Sequence, residues 1–93
     1  MQVEFDPKKA AANLKKHGVT LDEAAGCLLD PLALVREDRN AQGEARFVLV
    51  GMSDQERLLT VCYALSEEEE ETIRVISGRK ATAKERRQYA QGI

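Results

Sequence analysis

Between Leu32 and Ser77 the chain changes to β-rich runs with a period of two, and this restricts the fold more than any other feature of the chain. The runs LALVRE (32–37), ARFVLVGM (45–52), RLLTVCYAL (57–65) and ETIRVIS (71–77) are rich in β-formers and separated by short polar segments. DRNAQGE (38–44) and SDQE (53–56) have turn chemistry, and the acidic run Glu67–Glu71 reads as a solvated turn that discourages edge pairing. Side chains that alternate in this way bury one face of a sheet, so the four runs predict a four-stranded antiparallel meander. Helices must then lie outside this stretch.

Signals for helices are found on both sides of it. Asp6-Pro7 supplies an N-cap and a first-turn proline, and Gly18 supplies a stop, which predicts a helix over 7–16. Thr20-Leu21-Asp22-Glu23 has the capping-box pattern, with Leu21, Ala24, Ala25 and Leu28 at helical spacing, which predicts a helix over 20–29 closed by Asp30-Pro31. A second capping box, Thr82-Ala83-Lys84-Glu85, opens a last helix reaching about Tyr89. The short run VEF (3–5), with two apolar residues around Glu4, suits an edge strand. The resulting fold class is α+β, with two N-terminal helices, the sheet and a C-terminal helix in a single domain over 1–93.

No run approaches the roughly 18 apolar residues of a membrane span, and the N-terminus lacks the order of a signal peptide. These features suggest a cytoplasmic protein. Cys27 and Cys62 stand apart among aliphatic neighbours and read as reduced core thiols. With one His and two separated Cys, neither a metal site nor a cofactor is expected. Aromatic residues make up only 4% and Trp is absent, which disfavours base-stacking platforms.

A net charge of −2 would by itself argue against a nucleic-acid partner. Its distribution argues otherwise. Residues 1–17 carry four lysines against Glu4 and Asp6, residues 18–73 carry thirteen acidic against four basic residues, and residues 74–93 carry six basic residues against Glu85. A fold that joined the two ends would place a positive surface on an acidic body.

Four clusters are candidates for chemistry. Lys15-Lys16-His17-Gly18 puts an imidazole, able to exchange protons near neutral pH, beside two cations. Arg74 interrupts an aliphatic strand, where Ile73, Val75 and Ser77 share one face and Thr72, Arg74 and Ile76 the other; Arg46 beside Phe47 is similar. Either arginine could form a surface salt bridge or present its guanidinium to an anion. Ser77-Gly78-Arg79-Lys80, read as the loop before the last helix, suits a phosphate or is a plain connection. The basic helix around Lys84, Arg86 and Arg87 is a solvated face, an RNA-backbone contact or a dock for an acidic partner.

Taken together, FDPKKAAANLKKHGVTLDEA, Asp30-Pro31, Arg46 entering a strand that ends in Gly51, and IRVISGRKATAKERRQY resemble the BrnT family of type II toxins. The resemblance spans nearly the whole chain. It implies a RelE-like fold and an endoribonuclease that blocks translation without a metal. It also implies a BrnA-like antitoxin with a ribbon-helix-helix DNA-binding domain, through which alone the toxin would meet operator DNA. The chain departs from the family at Gly78, where Ala is usual, at Phe5 for Trp and at Leu21 for Phe; a glycine in the turn before Arg79 would loosen its aim.

Under that resemblance His17 would transfer protons, with Glu23 as the alternative base. Arg74 and Arg79 would stabilise the transition state with support from Arg46, and Lys16, Lys80, Lys84 and Arg86 would follow the RNA backbone. The assignment requires His17 to lie near Arg74 and Arg79. The competing expectation is a catalytically degenerate toxin homologue that acts as a co-repressor with the antitoxin.

Overall fold

The structure is a computed structural model, and it describes residues 2–39, 43–66 and 71–92. Most of the acidic run and the middle of the 38–44 turn lie outside the described residues. The elements are β1 (Gln2–Glu4), α1 (Pro7–His17), α2 (Leu21–Gly26), a 3-10 turn (Cys27–Leu29), β2 (Leu34–Asp38), β3 (Ala45–Met52), β4 (Leu58–Ser66), β5 (Thr72–Lys80) and α3 (Ala83–Gln91).

The four runs of period two do form an antiparallel meander, but the sheet has five strands and is mixed. β1 adds parallel to β5, giving the order β1-β5-β4-β3-β2. The expected four-stranded antiparallel sheet is corrected in this respect. Three exposed residues are too few to show a pattern, and their pairing is supplied by β5 rather than by their own hydrophobicity.

The helix ends follow their caps. Asp6 accepts from the Lys8 N–H at 2.9 Å, and Gly18 closes α1 in the left-handed region at φ 69°. Thr20 accepts from the Glu23 N–H, but Glu23 does not reach back to complete the box. Its carboxylate is taken by Arg57 and the Ser53 hydroxyl, and α2 ends at Gly26 before the tighter turn. Among the described residues no helix is long and apolar enough to cross a membrane.

α1, α2 and the 3-10 turn cover one face of the sheet, here the inner face. Val19, Leu21, Ala24 and Cys27 meet Leu49, Leu59, Val61 and Val75 there in one buried cluster. Cys27 is free, and burial pushes its thiol up to about 11. Cys62 is also free and alternates to the other face.

β5 runs to Lys80, so Ser77-Gly78-Arg79-Lys80 is strand and not loop. The phosphate-loop expectation therefore falls: Arg79 and Lys80 are in register with Thr60 and Leu59 of β4, inside the ladder. Gly78 is there for packing. A Cβ at this position would stand 2.8 Å from the Ala24 Cβ, so the glycine lets α2 press onto β5 and loosens no turn. Gly78→Ala is expected to lower stability by about 1–3 kcal/mol. Chemical denaturation checks this, and Ala24→Gly in the same chain should recover part of the loss.

The edge of β5 beyond β1 is closed by one side chain. Buried Asn13 of α1 donates to the Gly78 carbonyl at 2.9 Å and accepts from the Gly78 N–H at 3.1 Å. It also donates to the Val19 carbonyl at 2.8 Å. One amide thus satisfies both backbone groups that a longer β1 would have paired.

Candidate functional site

The outer face of the sheet, opposite α1 and α2, carries the arginines. Strand alternation alone would put Arg74 and Arg79, five residues apart, on opposite faces. A bulge in β5 changes this: Cys62 pairs with Ser77 and Tyr63 with Val75, leaving Ile76 as the extra residue. Arg74, Ser77 and Arg79 therefore share the outer face, which corrects the expected grouping of Ser77 with Ile73 and Val75.

Register defines three rows across this face. Arg79, Thr60, Val50 and Leu34 form the first, Ser77, Cys62, Val48 and Arg36 the second, and Arg74, Ala64, Arg46 and Asp38 the third. In the third row a single small residue separates two guanidiniums, and neighbouring strands lie about 4.8 Å apart. Arg74 and Arg46 thus flank Ala64, which is itself buried.

The arginines differ in how they are held. Arg74 Nη1 donates to Glu44 Oε1 at 2.5 Å, and its Nε lies 3.6 Å from Glu4 Oε1. Arg79 is held bidentately, with Nη1 2.8 Å from Glu85 Oε1 and Nη2 3.1 Å from Oε2. Arg46 is half-buried, and its Nε is a buried donor without a partner among the described residues. Arg36 is exposed and makes no hydrogen bond or ion pair among the described residues.

Glu85 organises the edge of the site. It completes the Thr82 capping box of α3, and its Oε1 also accepts from the Thr60 hydroxyl at 2.9 Å. The Arg79 guanidinium and these donors hold its carboxyl down to about 2 against the opposing effect of burial. Because the folded value lies below the usual 4.5, this contribution is complete above about pH 4.5 and is lost as pH falls toward 2. Glu85→Gln is expected to flatten that part of the stability–pH curve, as read by circular dichroism.

α3 itself sits lightly on the outer face. Ala81 and Tyr89 pack on Val50 and Leu58, and the Tyr89 hydroxyl donates to Asp30 Oδ2 at 2.6 Å. That bond to Asp30 raises the Tyr89 hydroxyl to about 12. Asp30, expected only to end a helix, also accepts from the Met52 N–H and so ties α3 to the end of β3.

The other expected site residues are distributed as follows. His17 is the last residue of α1, in the layer on the inner face, and makes no hydrogen bond or ion pair among the described residues. The structure does not bring it to Arg74 or Arg79. The reason is α1's attachment through Asn13 to the β5 edge and inner layer. Glu23 is buried in the Arg57–Ser53 network, with the Arg57 bond holding its carboxyl low, so it does not face the arginines. Lys16 is exposed on α1 and Lys84 on α3. Lys80 and Arg86 meet at a hollow of about 360 Å³ that Arg57 also lines. No group of three or more His, Cys, Asp or Glu among the described residues could hold a metal.

Sequence reasoning missed Glu85, Glu44 and Asn13 as partners of the site and its strand. Only Glu85 left a trace, as the fourth residue of a capping box.

Comparison with known proteins bears on the family and the fold. A family described as the ribonuclease toxin BrnT of a type II toxin–antitoxin system matches residues 5–85. The 1.1 Å crystal structure of the Brucella abortus ribonuclease toxin BrnT superposes with a TM-score of 0.67 at 23% identity, covering 88% of this chain and 97% of that one, which shows a common fold. No curated protein matches the chain. With most of its length matched by that profile, the chain belongs to the BrnT family of type II toxins.

Proposed function

We propose that the protein is an endoribonuclease that cleaves RNA on the outer sheet face and thereby inhibits translation. The observation carrying this reading is the bulge at Ile76, which gathers Arg74 and Arg79 on the face that already bears Arg46. RNA brings its own nucleophile, since the 2′-hydroxyl can attack the adjacent phosphate, so a metal is not required. The protein must supply cations for the phosphorane and a path for two protons.

Arg74 and Arg46, flanking Ala64, are suited to the phosphate, with Arg79 one step beyond Ser77. Glu44 is the carboxylate bonded to Arg74 Nη1 and is suited to accept the hydroxyl proton, in place of His17 or Glu23. Lys80 and Arg86 continue the cationic path past α3, and Lys84 lies on the same helix.

Family membership implies a protein antitoxin. Our reading is a BrnA-like ribbon-helix-helix antitoxin, with both proteins acting in the cytoplasm and operator DNA reached only through it. A non-catalytic co-repressor is the second reading, favoured by the carboxylate partners that Arg74 and Arg79 already have. Purified protein incubated with end-labelled RNA and excess EDTA tests the first reading. Cleavage, together with growth arrest relieved by the antitoxin, is the expected result, and intact RNA with normal growth supports the second.

A further inference from the structure

The phosphate chemistry leaves one part of the outer face unused. A groove of about 310 Å³ opens between α3 and the β2–β3 edge, lined by Leu34, Arg36, Val48, Val50, Glu85 and Gln88. Its floor is aliphatic, from Leu34, Val48 and Val50. Its polar groups differ in availability. Glu85 is engaged by Thr82, Thr60 and both terminal nitrogens of Arg79. The side chains of Arg36 and Gln88 are exposed at the rim and make no hydrogen bond among the described residues.

A flat apolar floor with a guanidinium and an amide at its edge suits a heteroaromatic ring. The ring face would lie on Val48 and Val50, while its edge would meet donors from Arg36 and a donor and an acceptor from Gln88. The position in the sheet fits as well. Val48 and Arg36 lie one row from Arg46 and Ala64, and successive same-face rows are about 7 Å apart. That spacing suits a nucleotide with its phosphate at Arg46 and Arg74 and its base in the groove.

We propose that this groove holds a nucleobase of the RNA next to the cleaved phosphate, and that Arg36 and Gln88 read its edge. The donors of Arg36 favour a base with two acceptors on one edge, which is guanine. This assignment rests on the ribonuclease reading above.

The test uses RNA oligonucleotides that differ only in the base flanking one cleavable linkage, and a set with a 2′-deoxy linkage that cannot be cut. Wild type should prefer guanine in both cleavage and anisotropy binding. Arg36→Ala and Gln88→Ala should each reduce that preference about 5- to 100-fold. Neither should change cleavage of a substrate that is abasic at that position. Both side chains are solvent-exposed, so folding should be intact, and circular dichroism verifies it. Variants that retain the wild-type guanine preference would overturn the groove assignment while leaving the ribonuclease reading in place. Variants that keep RNA preference but lose antitoxin binding would assign the groove to the partner, again overturning it. If wild type neither binds nor cuts any RNA, the ribonuclease reading fails and the groove assignment fails with it.

Discussion

Arg74→Ala is expected to lower RNA cleavage about 10²- to 10³-fold, the usual loss when one aimed charge leaves a transition-state site. Its partners show why the effect should be on chemistry and not on folding. Arg74 is two-fifths exposed, and its ion pairs with Glu44 and Glu4 lie at the surface, where such pairs contribute about 0–1 kcal/mol. The variant should therefore melt close to wild type while single-turnover cleavage collapses. Arg74→Lys keeps the charge but loses the planar fork, and should recover only part of the rate. An Arg74→Ala protein as active and as toxic as wild type would remove this residue from the site.

Asn13→Ala should do the reverse, with its main effect on stability. The substitution leaves the Gly78 N–H, the Gly78 carbonyl and the Val19 carbonyl without the partners they now have. Each stranded buried group costs about 1–3 kcal/mol, and partial hydration at the strand edge brings the expected total to about 3–4 kcal/mol. For a domain of this size that is a fall in Tm of roughly 12–32 °C. Calorimetry at neutral pH measures it, and a shift of only a degree or two would show that the amide is dispensable. Asn13→Asp should not rescue, since it keeps only the acceptor and buries a charge.

Much of the architecture could be read from local chemistry. Asp6, Thr20 and Thr82 start their helices where their side chains predict, and β3 occupies the residues its alternation marks. The last strand was harder to read. Gly78, Arg79 and Lys80 look like a loop because glycine and paired cations are turn chemistry. In the fold the glycine serves the contact with Ala24, and Arg79 projects from the outer face to Glu85. β1 was only partly legible, because three exposed residues pair through the strand they join.

The site was legible as charge but not as geometry. Cations at the two chain ends suggested one surface, yet α1 carries Lys16 and His17 in the inner layer while β5 presents its arginines on the other face. Glu23 reads as a capping residue and is drawn away by Arg57, a residue 34 positions later in the chain. Pairing across such distances leaves no local signature. The carboxylates of Glu44 and Glu85 were hidden for the same reason, each being one acid among sixteen until the sheet places it beside an arginine.

The single extra residue in β5 also affects how related chains should be compared. Because Ile76 falls between Arg74 and Arg79, the parity of their separation has meaning only together with the bulge that absorbs one residue. Removing Ile76 would keep every functional side chain, abolish the bulge and leave the two arginines four residues apart, on one face by plain alternation. An alignment that opens a one-residue gap in this stretch therefore marks a lost bulge and not a lost site, whereas arginines five residues apart share the face only where the bulge is kept. In this strand the count of residues matters to function as much as their identity.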